Sequence, residues 1–294
     1  MYSQIAANKR HSIMLLFGFV AIVGGLDWLL SRAFNQPAAF VPILIMAVAY
    51  AGISYFFSAK IALAMSGAKE IQKSDAPELF RLVENLSITA GLPMPKVYIV
   101  DDPSPNAFAT GRDPEHAVVA VTTGILATLN KTELEGVLAH EMSHVGNFDI
   151  RFMALVVALA AVVSIISDLL LRLSFWGGGG DDESPSGNII FLVLSIVGAL
   201  LAPLVAAVIQ AAVSRQREYL ADSSGALLTR YPEGLASALE KISSSDIPMT
   251  KANSATAPLY IANPLKGRSF ARLFDTHPPI EERVKRLRAM GGHQ

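Results

Sequence analysis

Four stretches of this 294-residue chain are long and apolar enough to cross a lipid bilayer, and no other property narrows its possible folds so far. Residues 12–30 carry one charge, Asp27, and residues 38–57 carry none. Residues 152–171 are interrupted only by Asp168, and residues 189–213 are uncharged, with Pro203 predicting a kink. Each approaches or exceeds the ~20 residues needed to span a hydrocarbon core of about 30 Å. Composition agrees: 52% of residues are hydrophobic and 17% charged, with a mean hydropathy of +0.41. A cleavable leader is the rival reading of the first stretch, but its long apolar run and the second stretch close behind favour a retained hairpin. The last two stretches have a rival reading as core helices of a soluble domain, which four such runs in one chain disfavour. Asp27, near the far end of its stretch, is expected at the interface rather than on a proton path.

Basic residues set the expected orientation. Lys9, Arg10, Lys60, Lys69, Lys73, Arg151, Arg215 and Arg217 flank the stretches on one side, whereas the two hairpin loops offer only Arg32 and Arg172. Both termini and residues 58–151 are therefore expected in the cytoplasm. The net charge of −1 gives no bulk attraction to nucleic acid, and the absence of cysteine excludes disulfides and thiolate metal sites. Any metal has to be held by His, Asp or Glu.

Residues 130–149 offer such ligands. They contain H-E-x-x-H as His140, Glu141 and His144. Positions four apart lie one above the other on a helix, so both imidazoles can grip one ion, with Glu141 placed to act on a water there. Asn130 as N-cap with Glu133 three residues on predicts a capping box, and Leu134, Val137, Leu138 and Val145 supply a face to bury. Zinc, one per chain, is the expected metal. The plain alternative is a pair of histidines on a core helix.

Around this helix the pattern predicts a helix over 77–90 stopped by Gly91, and a strand over 96–100 followed by turn chemistry at 101–105. Two further short strands, 106–110 and 117–123, flank the loop 111–116. Residues 176–187 read as a solvated acidic connector.

A third ligand is sought where the fourth stretch ends. Glu218 lies five residues beyond it and His144 eight before the third stretch, so helical rise sets both about 10 Å from one membrane face. A membrane hairpin that folds back would return Glu218 to His144, giving a His₂Glu site with an open position.

H-E-M-S-H with Asp149 five residues on, R-x-R-E-Y-L-A-D ending at Asp222, and Thr276-His277-Pro278-Pro279 together make the chain resemble the HtpX-type membrane zinc proteases, relatives of the CAAX prenyl-processing metalloproteases. The resemblance covers nearly the whole chain. It implies that His140, His144 and Glu218 bind zinc and that Glu141 is general base and then proton donor. It also implies that Asp149 and Asp222 orient the imidazoles, and that His277, ahead of a helix over 278–290, stabilises the oxyanion. Asn106, Ala107, Phe108, Ala109 and Thr110 would be the edge strand that receives an extended substrate. For His277 a structural role, and for this strand a plain place in the sheet, remain open.

The expected fold is a mainly α membrane protein with a small β-sheet, combining four transmembrane helices with a zincin-like (gluzincin) cytoplasmic catalytic domain. Residues 1–57 would form the first membrane hairpin and 152–213 the second. Residues 58–151 and 214–294 would be the two halves of the catalytic domain. The implied substrates are misfolded or damaged, mostly membrane, proteins cleaved at the bacterial inner membrane in stress quality control, with prenylated peptides as runner-up. A non-enzymatic scaffold with structural zinc would need a fourth protein ligand, such as His277 or Asp222. A transporter would show paired intramembrane charges and repeat symmetry, which these stretches lack.

Overall fold

The computed structural model describes residues 40–159, 215–251, 256–265 and 278–291 continuously, together with residues 38 and 172 and scattered positions from 10 to 28. Most of the stretches 152–171 and 189–213, and the connector between them, lie outside the described residues. The expected crossing at 38–57 is a 17-residue helix, α1 (Phe40–Phe56), about 25 Å long at 1.5 Å per residue. It then turns by 68° into α2 (Ser58–Ser66). Among the described residues no single helix is long and apolar enough to cross a membrane.

The surface of α1 is nonetheless oily: Ile45, Met46, Ile53 and Phe56 are each more than half exposed. Ala51 of α1 packs in one cluster with Val23 of the first stretch and Leu159. Asp27 is buried at 4% exposure instead of reaching out to an interface.

A four-stranded mixed sheet follows, in the order β1-β2-β4-β3. Its strands are β1 (Ala68–Glu70), β2 (Lys96–Val100), β3 (Ala107–Thr110) and β4 (Val118–Thr122). β2 and β4 run parallel, and the outer pairs are antiparallel. The period of two divides the side chains cleanly. Ala107, Ala109, Val119 and Val121 face the main core, whereas Phe108, Val118 and Ala120 face a smaller cluster with Leu63, Met249 and Tyr260. With both faces covered, every residue of β4 is buried.

Between β1 and β2 lies α3 (Pro77–Ala90), started by Pro77 and closed by Gly91 at φ 65°. Its Leu79, Leu82, Val83 and Leu86 are buried as the sequence periodicity requires. The short α4 (Thr123–Thr128) leads into α5 (Lys131–Gly146), where the Asn130–Glu133 capping box forms in both directions. Beyond it come α6 (Asp149–Leu159), α7 (Arg215–Thr229), α8 (Pro232–Ser244) and α9 (Ile280–Gly291). α5 is the central element, packing against α3, β3, α7 and α8. Gly136 sets the α5–α8 spacing, because a Cβ there would stand 2.6 Å from the Leu235 backbone nitrogen.

Candidate metal centre

His140 and His144 sit one turn apart on α5, and their Nε2 atoms approach to 3.2 Å. The helix ends two residues after His144. Asn147 caps it, Phe148 takes a left-handed backbone at φ 60°, and the chain leaves along α6 at 78° to α5. This reversal makes Asp149 the first residue of α6 and sets its Oδ2 3.0 Å from His144 Nδ1.

The opposite wall is α7. Glu218, Asp222 and Gly225 recur at helical spacing, and each is buried. A Cβ on Gly225 would fall 2.9 Å from the His140 backbone nitrogen, so only glycine permits this closeness to α5. Glu218 consequently reaches both rings, with Oε2 3.8 Å from His140 Nε2 and Oε1 3.6 Å from His144 Nε2. Asp222 Oδ1 lies 3.0 Å from His140 Nδ1. Glu218 is thus brought to the imidazoles by helix packing. The expected straight run from His144 into the third stretch is broken by the turn at Asn147–Phe148.

Each imidazole therefore has a carboxylate at Nδ1. A carboxylate only accepts, so each ring donates its Nδ1–H, and Nε2, which faces Glu218, is the nitrogen left to bind a metal once it gives up its own proton. One ligand atom from each of His140, His144 and Glu218 lies within 4.8 Å of the others. A tetrahedron with arms of about 2.0–2.1 Å has edges of roughly 3.3 Å; the 3.2 Å between the two Nε2 atoms matches such an edge, and Glu218 stands near it, with Oε1 3.6 Å from His144 Nε2 and Oε2 3.8 Å from His140 Nε2. The donor set and its spacing fit zinc. Asp222 is not a further ligand, because its oxygens are taken by His140 and by Arg283.

Arg283, on α9, is completely buried. It donates from Nε to Asp222 Oδ2 at 2.9 Å and from Nη2 to Oδ1 at 2.7 Å, while Nη1 lies 3.8 Å from Glu218 Oε2. Burial alone would raise the Asp222 pKa, but the guanidinium charge and hydrogen bonds, with His140, hold it down at about 2. For His144 burial pushes down, yet the Asp149 hydrogen bond and the charges of Glu218, Asp149 and Glu141 raise it to about 9 in the metal-free protein. The Glu141 carboxyl is raised by burial, offset in part by the two histidines and by the Ala109 backbone N–H.

His140, Glu141, His144, Asp149 and Glu218 line a cleft of about 490 Å³ including the space open to solvent. Arg217, Pro258, Leu259, Tyr260 and Ile261 complete its lining. The Arg217 guanidinium lies 4.7 Å from the centre of the Phe152 ring. Ala109 of β3 also borders the cleft. β3 is an edge of the sheet, but at Phe108 it makes an antiparallel bridge to Tyr260, so part of the expected open edge carries the chain's own backbone. His277 lies outside the described residues.

Sequence reasoning missed Arg283 and Gly225. Arg283 had a readable signal, since it shares a helical stripe with Ile280, Val284 and Leu287, and a lone charge on an apolar face demands a buried partner. Gly225 had none that distinguishes it from other helical glycines.

Comparison with known proteins agrees with this chemistry. The profile described as Peptidase family M48 matches residues 73–291. A protease HtpX homolog of Tropheryma whipplei (strain Twist) is 52% identical over 292 residues, covering 99% of both chains. Another, from Ligilactobacillus salivarius, is 48% identical over 298 residues, covering 99% of this chain and all of the relative. Among solved structures, the crystal structure of S. mikatae Ste24p superposes with a TM-score of 0.51 at 17% identity, covering 96% of this chain and 66% of that one. At that identity the likeness speaks for the fold alone.

Proposed function

The chain belongs to peptidase family M48, and on that footing we propose a membrane zinc endopeptidase in which His140, His144 and Glu218 hold the metal and Glu141 carries the proton. The observation behind this assignment is the convergence of three donor atoms within 4.8 Å beside a buried glutamate. Zinc in such a set supplies Lewis acidity, drawing electron density from a peptide carbonyl and making a water acidic near neutral pH. Glu141 accepts the water's proton and later delivers it to the leaving amine, a task suited to a carboxyl whose pKa burial raises. Asp149 and Asp222 keep the imidazoles in one tautomer and orientation. His277 is assigned to the developing oxyanion.

The membrane part rests on the four apolar stretches and on the oily surface of α1. Residues 1–57 and 152–213 form two membrane hairpins, and the catalytic halves 58–151 and 214–294 face the cytoplasm. Substrates are polypeptides. Unfolded or damaged proteins at a bacterial inner membrane suit a cleft bordered by a sheet edge, because only an extended chain can add to a strand. That assignment places the enzyme in stress quality control, with prenylated peptides as the alternative substrate.

The test is zinc analysis of the detergent-purified full chain, paired with cleavage of a denatured polypeptide with and without chelator. Zinc near one per chain and chelator-sensitive cleavage are expected, and Glu218→Ala should lower the zinc content. Full zinc retention in that variant would refute the ligand assignment.

A further inference from the structure

Taking the cleft as the peptidase site, we propose that residues Leu259–Ala262 form a strap that occupies the place of an extended substrate along β3 and has to leave before a polypeptide is cut. The contact has the form of strand addition. Phe108 and Tyr260 are an antiparallel bridge pair, and the Ile261 N–H donates to the Ala107 carbonyl at 2.9 Å. The two rings meet edge to face with centroids 4.9 Å apart.

A latch closes the far end. Asn106 donates from Nδ2 to the Ala262 carbonyl at 2.9 Å and accepts from the Ala262 N–H at 3.3 Å. Upstream, the Thr250 N–H donates to Asp102 Oδ2 at 2.9 Å, tying the same part of the chain to the loop after β2. Tyr260 and Ile261 are each 1% exposed and also border the cleft that holds the imidazoles.

A peptide adding to β3 beside the metal needs the outward carbonyl of Ala107, which Ile261 already holds. The next outward group, the Ala109 N–H, is engaged by Glu141. Strap and substrate therefore compete for one edge, and folded chains that cannot supply a competing strand are excluded. Access is set by the strap's release.

The absence of native cysteine gives a clean test. Phe108 and Tyr260 form a pair without mutual hydrogen bonds, whose Cα atoms stand about 4.5 Å apart, within disulfide range. In a Phe108→Cys, Tyr260→Cys double variant loaded with zinc, cleavage of a cysteine-free unfolded polypeptide should fall on oxidation to the level of the unoxidised fraction. Reductant should restore it. Equal rates in both states would overturn the strap and leave the peptidase assignment intact, whereas a zinc-loaded unmodified chain that never cleaves would overturn the assignment itself.

A second measurement needs no substitution and covers the case in which the double variant does not fold. Hydrogen exchange across Leu259–Ala262 in the unmodified zinc protein should accelerate when an extended peptide hydroxamate binds, because Ile261 loses its acceptor. Unchanged or slower exchange would also overturn the strap.

Discussion

Gly225→Ala adds one methyl group where two backbones touch. The new Cβ would stand 2.9 Å from the His140 nitrogen and 3.2 Å from the Ala139 carbonyl carbon and His140 Cα, against an ordinary contact beginning at 3.4 Å. None of those atoms can rotate aside, so α7 has to retreat from α5 by about half an ångström. Overpacking of this kind costs about 1–3 kcal/mol. The larger effect falls on the metal: Glu218 stands on the same face two turns away, and ligand positions are held to roughly ±0.2 Å. Zinc affinity should drop by about 10–100-fold, the scale on which disturbed supporting contacts weaken metal sites, while helix content persists. Competition with a calibrated chelator measures the affinity, and circular dichroism checks the fold. Gly52→Ala is the control, because its Cβ meets nothing within 4 Å. Zinc affinity equal to the unmodified protein's would refute the claim that this contact positions Glu218.

Three further outcomes are expected. Glu141→Gln should retain zinc and lose cleavage by about 10²–10⁴-fold; retained zinc with undiminished turnover would remove Glu141 from proton transfer. Arg283→Met should destabilise the zinc-free protein by about 3–5 kcal/mol, because it strands the Asp222 carboxylate inside the fold, and an unchanged unfolding midpoint would show that this buried pair contributes nothing. Zinc affinity should rise with pH: His144 has a metal-free pKa near 9, above its ordinary 6.5, so its proton competes with the metal below that value. The same shift stabilises the metal-free fold fully below 6.5 and is lost as pH rises through 9. Calorimetric zinc titrations from pH 7 to 9 in buffers of different ionisation heat would read the released proton, and a flat profile would count against the Asp149–His144 pairing.

What was legible in the sequence is what is local. The i, i+4 histidines, the Asn130–Glu133 box, the helix closed by Gly91 and the strand Lys96–Val100 each declare themselves within one or two turns of chain. Short polar β1 escaped notice because a three-residue strand at a sheet edge has too few positions for alternation. The sharp turn at Asn147–Phe148 was hidden because Phe148, unlike glycine, gives no warning of a left-handed backbone. Arg283 and the Tyr260 bridge depend on contacts spanning more than sixty residues, the former to Asp222 and the latter to Phe108. No periodicity reports such partners. The approach of Glu218 was foreseen from the hairpin, but its cause, a glycine letting two helices touch, is a property of packing.

The Arg283–Asp222 pair also sets an order of assembly. All three donor side chains have been made by the time the ribosome reaches residue 218, yet the guanidinium that braces His140 through Asp222 is translated more than sixty residues later. Fragments that stop short of α9 would carry the donors with an unbraced carboxylate and a poorly held ring. Prematurely terminated copies should therefore be weak proteases, even though they hold every metal-donor side chain.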